Sequence, residues 1–189
     1  MQQSNFDQTM NKSIAEKGKV ILKDEYNLDF LGIEEEVLEK DVERGILRHI
    51  DQFIREMGND FMFAGNQKRL EVGDQEYFID FLFYHKKLRS YIVIELKSGK
   101  FKPEYVGKMA LYLGAVEDQL NDEDNPAIGI ILCTDKNREV VDTSLKMITR
   151  PVGVATYKTY DRQDKLPEEY AKYLPNPEII AQRLLELLA

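Results

Sequence analysis

Residues Tyr77–Lys97, YFIDFLFYHKKLRSYIVIELK, decide the fold. Two short apolar runs, FIDFLFY and YIVIELK, flank the polar HKKLRS. Aromatic and β-branched residues dominate both runs, which predicts two strands of one hairpin. Alternation puts Glu95 and Lys97 on one face and Leu96 on the other. A two-residue loop at Lys87-Leu88 pairs Lys86 with Arg89, a four-residue loop centred there keeps the same register, and counting back along the antiparallel ladder sets Asp80 opposite Glu95. Directly opposed residues have Cβ atoms roughly 4.5–5.5 Å apart, so two like charges meet among apolar neighbours. A divalent cation is the natural compensation for that repulsion. The plain alternative is a strand lysine paired with a strand acid on a wet face.

Asp80 followed by Glu95-Leu96-Lys97 at the end of the next strand resembles the PD-(D/E)XK nuclease signature. The surrounding text, EYFIDFLFYHKKLRSYIVIELKSGKFKPEYVGKM, resembles the YhcG-like family of that superfamily, and the resemblance runs from about Tyr26 to about Tyr157. It implies an α/β fold with a restriction-endonuclease-like core: a mixed β-sheet flanked by helices, in the order αβββαβ and then αβ. It also implies a metal-dependent endonuclease that hydrolyses phosphodiester bonds of nucleic acid, DNA in the first place, with Mg²⁺ or Mn²⁺. In that reading Asp80, Glu95 and the Leu96 carbonyl hold the metal, and Lys97 positions water or stabilises phosphate oxygens.

At 189 residues the chain suits one domain. A content of 43% hydrophobic and 32% charged residues is that of a soluble globular protein. No run approaches the ~20 apolar residues of a membrane span. With no signal peptide, and one cysteine, Cys133, suiting a reducing compartment, the expected location is cytoplasmic. The net charge of −8 argues against a protein held on nucleic acid by its overall charge. The charge is uneven, however: Lys86, Lys87, Arg89, Lys97, Lys100, Lys102 and Lys108 face only Glu95 and Glu104 between positions 85 and 108. This predicts a basic patch beside the acid pair.

Residues 1–25 read as a loose or partly helical tail or stub, 26–160 as the nuclease domain, and 161–189 as a connector with a C-terminal amphipathic helix over 178–188. YhcG-like proteins carry a further N-terminal domain, expected here to be missing or reduced to a stub. From Ile33 to Met57 the apolar residues Leu38, Val42, Ile46, Ile50, Phe53 and Met57 predict one helix stopped at Gly58. Glu43 lies at the edge of its apolar face, where the family's helix motif puts a glutamate near the metal; a solvated boundary glutamate is the alternative. Residues 60–70 predict a strand turning at Gly73-Asp74, which sets Gln67 opposite Asp80. Family members also carry glutamine there, so Gln67 is either a residue that orients water or touches phosphate, or a plain polar strand residue.

Pro103 suits the first turn of a helix carrying Val106, Met109, Leu113, Val116 and Leu120. Lys108 stands where the family more often has glutamine. It is either a phosphate-seeking charge or a solvent-facing lysine, and Tyr112, which shares its face, is with it and the basic patch a candidate contact for nucleic acid. The continuous apolar AIGIILC, 127–133, predicts a strand buried on both faces. A short helix over 137–149 and a strand over 152–157 follow. His49 and His85 stand apart from any metal-ligand spacing and read as structural. Two rivals remain: a non-cleaving nucleic-acid or protein-binding module on a nuclease fold, and a structural protein with an ion-pair cluster. Cutting both strands of a duplex calls for two sites, which makes a homodimer the assembly to expect.

Overall fold

The structure, a computed structural model, describes residues 2–33, 38–120 and 124–159. The hairpin forms as the residue pattern requires. Strands β3 (Phe61–Val72) and β4 (Gln75–His85) join at the Gly73-Asp74 turn, where Gly73 has φ 61°, a left-handed conformation that glycine adopts without strain. β5 (Ser90–Leu96) follows β4 antiparallel, from His85–Ser90 to Phe81–Ile94. Helix α5 (Glu104–Leu120) opens behind Pro103, whose carbonyl accepts the Val106 N–H at 3.2 Å. β6 (Ile128–Cys133) and β7 (Val152–Lys158) then add parallel to β5, with helix α6 (Arg138–Leu145) between them. Every residue of β6 is buried, which is why its sequence is apolar throughout.

Among the described residues the sheet has seven strands, on the path β1-β7-β6-β5-β4-β3, with β1 (Gln3–Ser4) and β2 (Glu25–Asn27) both pairing β7. Alternation divides the core in two. Ile92, Ile94 and Leu96 of β5 face helices α3 (Glu39–Arg48) and α4 (Ile50–Met57) through Val42, Ile46, Phe53 and Met57. Val93 faces α5 and α6 through Val106, Met109, Leu113 and Val141. Gly129 lets α5 lie close on the sheet: a Cβ there would stand 2.5 Å from Met109 Cγ. No helix among the described residues is long and apolar enough to cross a membrane.

Two expectations need correction. Residues 1–25, expected as a loose or partly helical tail or stub, are helical in part, but their described residues are built into the domain rather than set apart from it. After β1, the helices α1 (Phe6–Thr9) and α2 (Lys12–Ile21) bring the buried Phe6 and Ala15, with Leu22 just beyond, into the α3–α4 side of the core. Asn5 pins this segment: its Nδ2 donates to the Arg150 carbonyl at 2.9 Å and its Oδ1 accepts the Val152 N–H at 2.8 Å. The expected single helix before β3 is two helices within its described part. The break is at His49, whose N–H reaches the Gly45 and Ile46 carbonyls while its own carbonyl accepts from Gln52 and Phe53. Apolar residues every four positions drift about 40° per step around a helix, so one straight helix cannot bury them all. Breaking it lets Phe53 reach Phe81 and Phe83, at 5.9 and 6.0 Å between ring centroids. The expected 161–177 connector and 178–188 helix lie outside the described residues.

Candidate active site

The site lies where β4 parts from β5. The next pair in their register is Asp80–Glu95, as counted from the sequence. Here carboxylates take over from the backbone ladder. The Asp80 N–H donates to Glu95 Oε1 at 3.3 Å, and the Leu96 N–H donates to Asp80 Oδ2 at 2.8 Å. β5 stays fixed on its other side, with the Lys97 N–H on the Leu132 carbonyl at 2.7 Å. The acids are thus held on two strands by the sheet itself.

β3 supplies Gln67. Its neighbours pair as Asn66–Phe81 and Lys68–Ile79, so Gln67 falls opposite Asp80 as expected. A bulge between Phe63 and Gly65 and a left-handed φ of 45° at Gln67 itself re-aim the strand here. Gln67 Nε2 donates to Glu43 Oε1 at 2.7 Å and to Asp80 Oδ1 at 3.3 Å. Glu43 therefore meets the acid pair through Gln67.

Lys97 lies on the same side. Its ammonium donates to the Leu96 carbonyl at 2.6 Å, Glu39 Oε1 at 3.2 Å and Glu95 Oε2 at 3.3 Å, and stands 5.5 Å from the centre of the Tyr105 ring. Glu39 was not singled out by the sequence; its position one turn before Glu43 on α3 was the available signal. From α5, Lys108 Nζ reaches the same Glu95 Oε2 at 3.4 Å and lies 5.1 Å from the Tyr112 ring centre.

The electrostatics follow from burial. Desolvation first, and the Glu95 charge second, push the Asp80 carboxyl up to about 7, against the pull of the Leu96 N–H and Lys97. Burial works against the Lys97 ammonium, yet Glu95, Glu39 and Asp80 together hold its pKa above the ordinary value. Lys108 is likewise raised: burial opposes its charge, but Tyr112 and Glu95 outweigh it. Among the described residues no group of three or more His, Cys, Asp or Glu side chains converges as a metal cage. The oxygens gathered here are those of Asp80 and Glu95, linked through the Asp80 and Leu96 N–H groups, and the Leu96 carbonyl, which shares the Lys97 ammonium with Glu95.

The expected basic patch is split. Lys100 and Lys102 are exposed just after Lys97, and Lys108 stands at the acids. Lys86, Lys87 and Arg89 occupy the turn at the other end of β5, about 20 Å away along the strand. There Lys87 pairs with Asp60 at 2.7 Å and Arg89 with Asp124 at 3.6 Å. They do not lie beside the acid pair. Tyr112 is also corrected as a contact for nucleic acid: it is 1% exposed, beneath Lys108 and edge-on to Tyr77 at 6.2 Å. His85 is structural, its Nδ1 accepting the Leu88 N–H at 3.2 Å.

The YhcG protein of Escherichia coli (strain K12) is 34% identical over 166 residues, which cover 87% of this chain and 42% of that protein. The chain thus spans less than half the length of that relative. Among solved structures, a repair endonuclease from Pyrococcus abyssi is similar at a TM-score of 0.43, with 16% identity over 68% of this chain and 50% of its own. A complex of EndoMS with double-stranded DNA is similar at a TM-score of 0.46, with 16% identity over 68% of this chain and 49% of its own. The model of the YhcG PDDEXK nuclease domain matches residues 19–175, most of the chain and the whole of the seam that carries Asp80, Glu95 and Lys97. The chain belongs to this family of PD-(D/E)XK nuclease domains.

Proposed function

We propose that this domain hydrolyses phosphodiester bonds of nucleic acid, DNA in the first place, at the β4–β5 seam, with Mg²⁺ or Mn²⁺ as cofactor. The observation that carries the reading is the facing pair Asp80–Glu95 with the Lys97 ammonium 3.3 Å from Glu95 on the same side. The donor set fits a hard cation: two carboxylates and the Leu96 carbonyl offer oxygen only, and a small set leaves room for waters and phosphate oxygens. The raised Asp80 carboxyl supports it too, since a centre that disfavours two bare negative charges is one that a cation relieves. When bound, the cation supplies Lewis-acid chemistry, drawing charge from phosphate oxygens and acidifying water.

The protein's own groups do the rest. Lys97, held charged by Glu39 and Glu95, places an ammonium where negative charge develops on phosphate. Gln67, its Nε2 held by Glu43 and Asp80, leaves its carbonyl oxygen to accept from a water and orient it. Glu43 supports that amide and, joined to the acid pair through it, would contribute an oxygen or a held water to the cation's surroundings. Lys100, Lys102 and Lys108 grip the backbone, which gives affinity without reading sequence. Two copies would present two such centres to the strands of a duplex.

The test is a panel of single-stranded, duplex and branched DNA incubated with Mg²⁺ or Mn²⁺, wild type beside Glu95→Gln and Lys97→Ala. Cleavage by wild type, absent in EDTA and lost in both variants, is the expected outcome. Because the residues act as one unit, the double variant falls no further than either single. Binding without cleavage across the panel would instead make this a nucleic-acid-binding module.

A further inference from the structure

Glu95 carries an unusual load of positive charge. Its side chain is 3% exposed, its Oε1 accepts the Asp80 N–H, and its Oε2 lies within 3.4 Å of two ammonium groups, Lys97 and Lys108. A carboxylate so buried beside a second acid would be costly without them. The two lysines are not equivalent. Lys97 is 11% exposed and has two further acceptors, the Leu96 carbonyl and Glu39. Lys108 is 47% exposed and reaches the acids from the solvent side of α5, its ammonium 5.1 Å from the centre of the Tyr112 ring and hydrogen-bonded to the Tyr112 side chain. Its helix is anchored by the buried Met109 and Leu113, so the flexible side chain alone is able to swing away.

We propose that Lys108 is the resident counter-ion of the carboxylate centre: a divalent cation must displace it from Glu95, so this one lysine sets how tightly the site takes metal. This rests on the reading of Asp80 and Glu95 as metal ligands given above. Lys108 and the cation compete for the same carboxylate oxygen. Any ammonium remaining a few ångströms from a doubly charged ion also repels it. The site thus trades affinity for metal against a neutralised acid pair when no metal is present. Metal entry also sends the Lys108 ammonium outward, towards the Lys100–Lys102 side where phosphate would lie.

The test is calorimetric titration of MnCl₂ into the whole chain, without nucleic acid. Wild type binds Mn²⁺, Lys108→Gln binds it about tenfold more tightly, and Lys108→Met shows the same gain because loss of the charge carries the effect. Lys108→Arg, which keeps a cation at Glu95, stays within about threefold of wild type. Thermal melts in EDTA check folding: Lys108→Gln and Lys108→Met melt somewhat lower than wild type because Glu95 loses a counter-ion, and Lys108→Arg, which keeps one, melts with wild type. If Lys108→Gln and Lys108→Met bind Mn²⁺ no more tightly than wild type, the inference fails while the nuclease reading stands. If wild type itself binds no Mn²⁺, the assignment of Asp80 and Glu95 as ligands fails and takes the inference with it.

Discussion

Replacing Asp80 with asparagine, in protein kept free of metal by EDTA, raises stability by an amount that grows with pH. The carboxyl is pushed from 3.8 to about 7 in the folded chain, by burial first and by the Glu95 charge second. Below about pH 4 the folded and unfolded chains both hold the proton. Between pH 4 and 7 the folded chain keeps a proton that the unfolded chain has released, so wild type loses stability as pH rises. Above about pH 7 both forms are ionised and the full penalty is expressed. At 1.36 kcal/mol per pH unit, that displacement amounts to on the order of 4 kcal/mol as a ceiling. Local relaxation lowers it, and so does the amide introduced at position 80, which meets the Gln67 amide where Asp80 Oδ1 accepted from it at 3.3 Å. About 2 kcal/mol at pH 8 is the expected gain, or roughly 4–8 °C in Tm for a domain of this size. Asparagine keeps an oxygen for the Leu96 N–H, so the sheet is not disturbed. Differential scanning calorimetry of both proteins from pH 4 to pH 8 reads the outcome as a Tm gap that opens with pH from near zero. Added Mg²⁺ then closes the gap by stabilising wild type alone. A gap that does not change between pH 4 and pH 8 would refute the view that Asp80 and Glu95 repel each other in the empty site.

Two further outcomes are expected. Replacing Lys100 and Lys102 together with alanine weakens DNA binding equally on all sequences and reduces the slope of log K against log salt by about 2, read by anisotropy titrations across salt concentrations; an unchanged slope places the substrate elsewhere. Leu22→Ala, at a fully buried position, destabilises by about 2–5 kcal/mol and lowers Tm by roughly 4 °C or more; a melt like that of wild type would contradict the packing of the N-terminal segment into the core.

Much of the site's geometry was legible because strand chemistry is local. The Gly73-Asp74 turn and the polar HKKLRS loop fix both hairpin registers, and registers fix which side chains face each other. What the sequence concealed depends on distance through space. β1 is two residues long and carries no period, so its pairing with β7 leaves no local trace. Lys86, Lys87 and Arg89 are close to Glu95 in the chain, but a seven-residue strand carries them to the far end of the sheet. Tyr112 shares a helix face with Lys108, yet the ring is covered by Tyr77 and only the lysine emerges. Glu39 looked like any acid in a first helical turn, because its partner Lys97 is 58 residues away. The four-residue spacing through Leu38, Val42, Ile46 and Ile50 was visible in the sequence, but reading it as one helix leaves its drift out of account and misses the break at His49.

The substitution of carboxylates for ladder hydrogen bonds at the seam changes what mutation can reveal about this protein. Asp80→Ala would strip the acceptor from the buried Leu96 N–H, a loss of about 1–3 kcal/mol that has nothing to do with catalysis. A screen for lost activity would mix that loss, and the relief of the buried charge, with whatever part Asp80 plays in chemistry, so the informative replacements are those that keep an oxygen at the seam, such as Asp80→Asn and Glu95→Gln. The same coupling acts on inheritance. A change at position 80 that removes the oxygen is opposed by folding before its effect on activity is exposed to selection, whereas asparagine is not, so persistence of aspartate over asparagine among descendants would record the reaction rather than the sheet.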